Sequence, residues 1–312
     1  MIAETAKDER RETENGKRET GEYTRAMAGT GVLESRVALV GPGRAGRAFA
    51  RSWTNAGGRI ATVVGRKPLA SSDVSGLPVL SVETSAFEPC DVVVLAVPDD
   101  AISSVATRLA GRLPCRYALH LSGAIGSEAL APFARNGAEV ASLHPVRPFT
   151  GAGDEDWRGA FAAVEGQPRA VAVAESIAAA VGAHPHRLAS GNRSLYHASA
   201  TLAAGGAAAV VSIAVRGWVA AGIPEDIARE TLAGLASRAT AAVAARSFSQ
   251  AFTGAVARRD AGTVRAHIDA LADDPRTLAL YRVLAEEILR RSDGVGREPE
   301  IRAILHGHES DG

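Results

Sequence analysis

Near neutral pH, histidine is the side chain best suited to giving or taking a proton, and the chain contains eight of them. Two stand where such a group would be useful. His144 ends the apolar run that starts at Glu139, and it opens His144-Pro145-Val146-Arg147-Pro148-Phe149. His197 lies at the start of a long helical pattern, within Leu195-Tyr196-His197-Ala198. Ser122 follows another apolar run, Tyr117 to Leu121, in Ser122-Gly123-Ala124-Ile125-Gly126-Ser127. Its hydroxyl and the Gly123 N–H suit a carboxylate or carbonyl oxygen. Such a set fits proton donation to, or stabilisation of, the oxyanion that develops when a carbonyl or imine carbon is reduced. His197 is expected to be the proton donor or the group that orients the substrate, with His144 second and Ser122 third. Consecutive helical residues diverge by about 100°, so Tyr196 is not expected to face the site together with His197. His184, His186, His267, His306 and His308 are expected to be surface or structural. No His-Glu-x-x-His spacing points to a metal, and Ser122 lacks the Gly-x-Ser-x-Gly context of a hydrolase.

These groups need elements to hold them. The clearest is Val37-Ala38-Leu39-Val40 running into Gly41-Pro42-Gly43-Arg44-Ala45-Gly46, with an alanine-rich helical pattern behind it. A buried strand, Gly-x-Gly-x-x-Gly and a helix follow the order of a dinucleotide-binding turn. The helix N-terminus would offer free N–H groups and a partial positive charge to a pyrophosphate. The second strand, Arg59 to Val64, enters Gly65-Arg66-Lys67. An NAD site carries an acidic residue there; Arg66, with Ser71 and Ser72 beyond it, suits a 2′-phosphate instead. NADP(H) is therefore the expected cofactor. Asp91 to Val97 reads as a central strand ended by Pro98, which puts Val97 and Pro98 beside the nicotinamide. Asp99 or Asp100 is expected to cap the following helix.

Further strands are expected at Leu77–Ser81, Phe161–Glu165 and His186–Ala189, with a helix over 168–181. Alternating strands and helices imply a doubly wound, mostly parallel α/β sheet of Rossmann type over 35–190. An all-helical domain is expected over 191–292, from Ser194 to Ala221, Glu225 to Arg246, 260–272 and 276–291. Residues 1–34, rich in Glu, Lys, Arg and Thr, are expected to form a disordered tail, with Met27 as an alternative start. Residues 293–312 are expected to form a frayed end. Ala198 to Val215 carries no charge. Its small residues favour burial in a core or dimer interface over a membrane span. A formal net charge of zero gives no argument for a nucleic-acid partner. Two widely spaced cysteines, Cys90 and Cys115, and no export signal suggest the cytoplasm.

Six stretches occur in an order that resembles one family: Gly41–Gly46, Leu95-Ala96-Val97-Pro98-Asp99-Asp100-Ala101-Ile102, His120–Ser127, Ser142–Val146, Leu195–Ala198 and Phe252–Asp260. The resemblance spans 36–291. It is to bacterial Rossmann-like proteins with a helical C-terminal domain of unknown function, relatives of 6-phosphogluconate dehydrogenase, pyrroline-5-carboxylate reductase and the deazaflavin-dependent NADP oxidoreductases. It implies NADP-linked reduction of a small substrate and a homodimer built through the helical domain. Ketopantoate is the substrate suggested by some members. A pyrroline-5-carboxylate-type imine and a non-catalytic NADP-binding regulatory role are the alternatives. Where relatives carry Ser-Asn, this chain has Ala203-Ala204-Gly205-Gly206.

Overall fold

The computed structural model describes residues 30–68, 74, 76–83, 86–151, 156–189, 191–292 and 298–307. The chain divides into two compact units, Met1–Ala200 and Thr201–Gly312. In the first unit, eight strands form one sheet: β1 Arg36–Val40, β2 Arg59–Gly65, β3 Val79–Ser81, β4 Cys90–Leu95, β5 Cys115–His120, β6 Glu139–Pro145, β7 Phe161–Gly166 and β8 His184–Arg187. Their order is β3-β2-β1-β4-β5-β6-β7-β8. Neighbours pair in parallel except β6 with β7. β3 is shorter than expected, and β8 starts two residues earlier.

Val37–Val40 of β1 and Val92–Leu95 of β4 are buried and apolar because helices cover both faces of the sheet there. Val37, Leu39, Val92 and Val94 join a core layer with Phe49 and Trp53 of helix Arg44–Asn55 and Ile177 of helix Pro168–Ala180. Ala38, Val40, Val93 and Leu95 face the opposite layer with Ile102, Leu109 and Phe133. This is the doubly wound arrangement, and the strand order turns about β1. There the β1 and β4 loops leave the sheet in opposite directions and open a crevice at its carboxyl edge.

The segment from β6 to antiparallel β7 is pinned to the first helix. The Trp157 N–H donates to Ser52 Oγ at 2.9 Å, and its ring meets Phe49 edge-on at 5.5 Å. Residues 1–29 of the expected tail lie outside the described residues. Thr30–Glu34 is not tail: it forms a 3-10 turn with Val32 fully buried in the core.

In the second unit, helix Ala207–Ala220 packs against Glu225–Ala245, joined across Gly222 at φ +90°. A separate small core gathers Val256, Val264, Leu289, Ile301 and Leu305. The last two belong to helix Glu298–His306, so residues 298–306 are folded and not frayed. Ile301, Ile304 and Leu305 supply an apolar stripe that the charged context hides in the sequence.

The expected burial of Ala198 to Val215 is not met within the chain. By length and composition, the helical run Arg193–Ala220 could cross a membrane, and none of its apolar stretch is buried. Among the described residues of the second unit, Ala207–Ala220 packs chiefly on Glu225–Ala245.

Candidate functional site

At the end of β1, Gly41 has φ +93°, a conformation L side chains rarely adopt. A Cβ there would also lie 2.6 Å from the Ala96 carbonyl oxygen and 2.8 Å from Val97 Cγ1. At Gly46 a Cβ would collide with the Gly41 carbonyl. Gly43, by contrast, is exposed and faces open space, with nothing within 4 Å of a Cβ position. The chain is thus tight on its protein side and clear on its solvent side. Helix Arg44–Asn55 starts here with no acidic residue in its first turn, and Arg47 Nε braces the Pro42 carbonyl at 3.1 Å. Arg66 is exposed just past the end of β2. These features fit a pyrophosphate and a 2′-phosphate: open backbone, a helix N-terminus and an exposed arginine. Ser71 and Ser72 lie outside the described residues.

The loops after β1, β4 and β5 and the end of β6 follow one another along the carboxyl edge. Ala96 N–H bonds the Val40 carbonyl at 2.7 Å, and Leu121 N–H bonds the Leu95 carbonyl at 3.0 Å. Val97 touches the glycine turn at Gly41, and Pro98 follows it. The expected aspartate cap is not formed. Asp99 and Asp100 start a 3-10 turn that makes no side-chain cap bond. Both are exposed in its first turn, where their charges still favour the helix dipole.

Further along the edge, His144 and His197 meet over Gly123. Their ring centroids are 5.9 Å apart. A Cβ on Gly123 would lie 2.6 Å from both His144 Cε1 and His197 Nδ1, so only glycine lets both imidazoles approach. Tyr196 is there too, with its hydroxyl 2.8 Å from His144 Nδ1. That corrects the expectation that Tyr196 and His197 diverge. His144 sits between the two directions, and the phenol is long enough to reach back to it.

Burial pushes the His144 imidazole down to about 4, helped by His197, Arg193 and His120 and opposed by Asp99. At neutral pH it is uncharged. Burial lifts the Tyr196 phenol to about 12, partly offset by Arg193.

Ser122 also has work within its own loop. It is buried, and its Oγ accepts from the N–H groups of Ala124 at 3.1 Å and Ile125 at 3.0 Å. The hydroxyl shapes the loop as a local turn cap. The Gly123 N–H, the other half of that expectation, enters none of the described hydrogen bonds.

Sequence reasoning missed the support beneath these residues. His120, Ser142 and Glu165 are register partners across β5, β6 and β7. Ser142 and His120 are fully buried. Arg193, also buried, binds Glu165 at 2.8 Å, Ser142, and the carbonyls of Ser122 at 3.2 Å and Gly123 at 3.3 Å. Burial alone would raise the Glu165 carboxyl, but Arg193 and Ser127 outweigh it and hold the group below the usual range. Burial lowers the His120 imidazole, whose Nε2 bonds the Gly126 carbonyl at 2.9 Å while Nδ1 accepts from Ser122 N–H. One signal was available: each of the three strands places a polar residue within or at the end of its apolar run.

Among the described residues, no group of three or more His, Cys, Asp or Glu side chains could hold a metal ion.

Residues 26–145 match a family described as a Rossmann-like domain, and residues 160–288 match a domain of unknown function, DUF2520. No curated protein matches the chain in sequence. Several solved structures share the fold. The candidate NADP oxidoreductase BF3122 from Bacteroides fragilis is 18% identical with a TM-score of 0.66, over 83% of this chain and 100% of its own. Protein TM1727 from Thermotoga maritima is 21% identical with a TM-score of 0.64, over 85% and 99%. The 1-pyrroline-5-carboxylate reductase from Streptococcus pyogenes is 14% identical with a TM-score of 0.57, over 83% and 98%. The chain is thus a Rossmann-like domain followed by a DUF2520 domain.

Proposed function

We propose that this protein is an NADPH-dependent reductase of a small oxo acid or imine, with ketopantoate the first substrate to test. The observation that carries the reading is the meeting of His144, Tyr196, His197 and the Gly123 N–H on the sheet edge that also bears the glycine turn. The names of two of the fold relatives, an NADP oxidoreductase and a pyrroline-5-carboxylate reductase, agree with it.

The Gly41–Gly46 turn binds the pyrophosphate through backbone N–H groups, and Arg66 pairs with the 2′-phosphate. NADPH, when bound, supplies the hydride. Val97 and Pro98 bound the nicotinamide side of the crevice. Tyr196, held protonated by burial, donates to His144 Nδ1, and the imidazole proton then resides on Nε2, the nitrogen beside Gly123. That N–H and the Gly123 N–H orient the acceptor oxygen or nitrogen and stabilise the charge that develops there. His197 stands across from His144 as the proton donor. Ser122 contributes by holding the loop in shape.

We further read residues 35–190 as the cofactor domain and 191–292 as the helical domain, whose first turn supplies Tyr196 and His197. A second copy of the chain covers the exposed helix Arg193–Ala220, giving a homodimer. The two free thiols, Cys90 and Cys115, suit the cytoplasm.

Titration with NADPH and NADH tests the cofactor, and NADPH absorbance against a panel of oxo acids and cyclic imines tests the reaction. Losing one guanidinium–phosphate pair costs about 1.5–3 kcal/mol, so Arg66→Ala should weaken NADPH binding roughly 10- to 100-fold and spare NADH. Equal affinity of the wild type for both nucleotides, or no oxidation of NADPH by any member of the panel, refutes the reading.

A further inference from the structure

The buried guanidinium of Arg193 has no nitrogen left for a ligand. Nε donates to Glu165 Oε2 at 2.8 Å, and Nη2 lies 2.7 Å from the same oxygen and also bonds Ser142 Oγ. Nη1 serves the two successive carbonyls of Ser122 and Gly123. An arginine beside a substrate site invites assignment to a substrate carboxylate, and this geometry excludes that. Its work is on the loop.

A trans peptide is planar, with its C=O and N–H pointing in opposite directions. Fixing the Ser122 carbonyl on Arg193 therefore turns the Gly123 N–H away from Arg193. The Ala124 N–H is meanwhile held by Ser122 Oγ, so the loop has little rotational freedom left. Glu165 and Ser142, neighbours in the β6–β7 ladder, fix the guanidinium in turn. Glu165 is itself held by Ser127 Oγ at 3.0 Å, at the far end of the same loop.

We propose that Arg193 is a positioning residue: it clamps the Ser122–Gly123 carbonyls from inside the sheet, so that the Gly123 N–H and the imidazoles packed on Gly123 keep one fixed arrangement. The value of that arrangement to catalysis rests on the function proposed above. The clamp itself does not, and it can be measured without substrate.

The test is amide hydrogen exchange on the full chain, comparing wild type, Arg193→Ala and Arg193→Lys. Two charge-assisted bonds to the loop are lost, so exchange at the Ala124 and Ile125 amides, which Ser122 Oγ holds, should rise by at least about 10-fold in Arg193→Ala. The β1 and β4 amides should be unchanged and NADPH affinity within about twofold of wild type, since a clamp on this loop leaves the glycine turn untouched. Millimolar ethylguanidinium should restore protection, and ethylammonium should not. Arg193→Lys should stay unprotected, because an ammonium cannot span two carbonyls and a carboxylate as a planar fork does. Glu165→Gln keeps the volume and loosens the guanidinium; it should raise exchange in the same segment and serves if Arg193→Ala does not fold. With a substrate, the loss should fall on kcat more than on the KM for NADPH. Unchanged loop exchange, equal rescue by ethylammonium, or a rise spread evenly through the sheet overturns the proposal. No turnover with an intact exchange signature would sink only the function.

Discussion

Acidification from pH 7 to pH 5 should leave His144 uncharged in the folded chain and weaken the fold. The unfolded imidazole takes up its proton near the ordinary 6.5, whereas burial holds the folded one at about 4. Between those values the unfolded state binds more protons, so stability falls as pH falls. At about 1.36 kcal/mol per tenfold in proton affinity, the full difference is roughly 3 kcal/mol, reached below pH 4. At pH 5 the loss from this group is about 2 kcal/mol. His120 is lowered by burial too and adds to the trend, as do carboxylates elsewhere. Subtracting the His144→Gln variant isolates the group. Urea unfolding of both proteins at pH 7, 6 and 5 should show the gap between them shrinking, or changing sign, by about 2 kcal/mol as the wild type loses its excess. The ring C2 proton of His144 should also stay at its neutral shift at pH 5.5. A constant gap across that range, or a ring titrating between 6 and 7, refutes the claim that this imidazole is desolvated and ringed by Arg193, His120 and His197.

Gly123→Ala places a methyl against both imidazoles. It should cut turnover by about 100-fold through misplacement of reacting groups, with NADPH affinity unchanged; retention of most of the activity would show that the contact is slack. Leu305→Ala empties part of the small helical core and should cost about 2–4 kcal/mol in the second unit alone. Limited proteolysis should then cut readily near the last helix while the sheet survives. Uniform resistance would mean that Ile301 and Leu305 are not what holds that helix.

Most of the architecture was legible because its cause is local. Val37 to Val40 and Asp91 to Val97 read as central strands since both faces had to be apolar. The glycine turn read as a turn because a strand fed it and a helix left it. Local pattern failed where a segment's partner lies far away in the sequence. Thr30–Glu34 looks like tail until Val32 is seen inside the core. Residues 298–306 look frayed until Ile301 and Leu305 meet Val264 and Leu289. Ala198 to Val215 was expected in a core or a dimer interface, and within the chain none of the apolar stretch is buried.

The candidate site divides the same way. Residue type and placement at a strand or helix end were enough to single out His144, His197, Gly41–Gly46 and Arg66, because side chains at those ends face the ligand edge of such a sheet. Residue spacing carries no distances, so it parted Tyr196 from His197 and did not show the bonds by which Ser122 shapes its own loop. Only folding brings His120, Ser142 and Glu165 into register across three strands and lays Arg193 over them. Those four are separated along the chain, and the antiparallel return of β7 is what puts Glu165 opposite Ser142. Local chemistry in the sequence set the strands, the turn and the candidate histidines, while long-range register decided which polar groups share a buried row, and therefore which loop is held still.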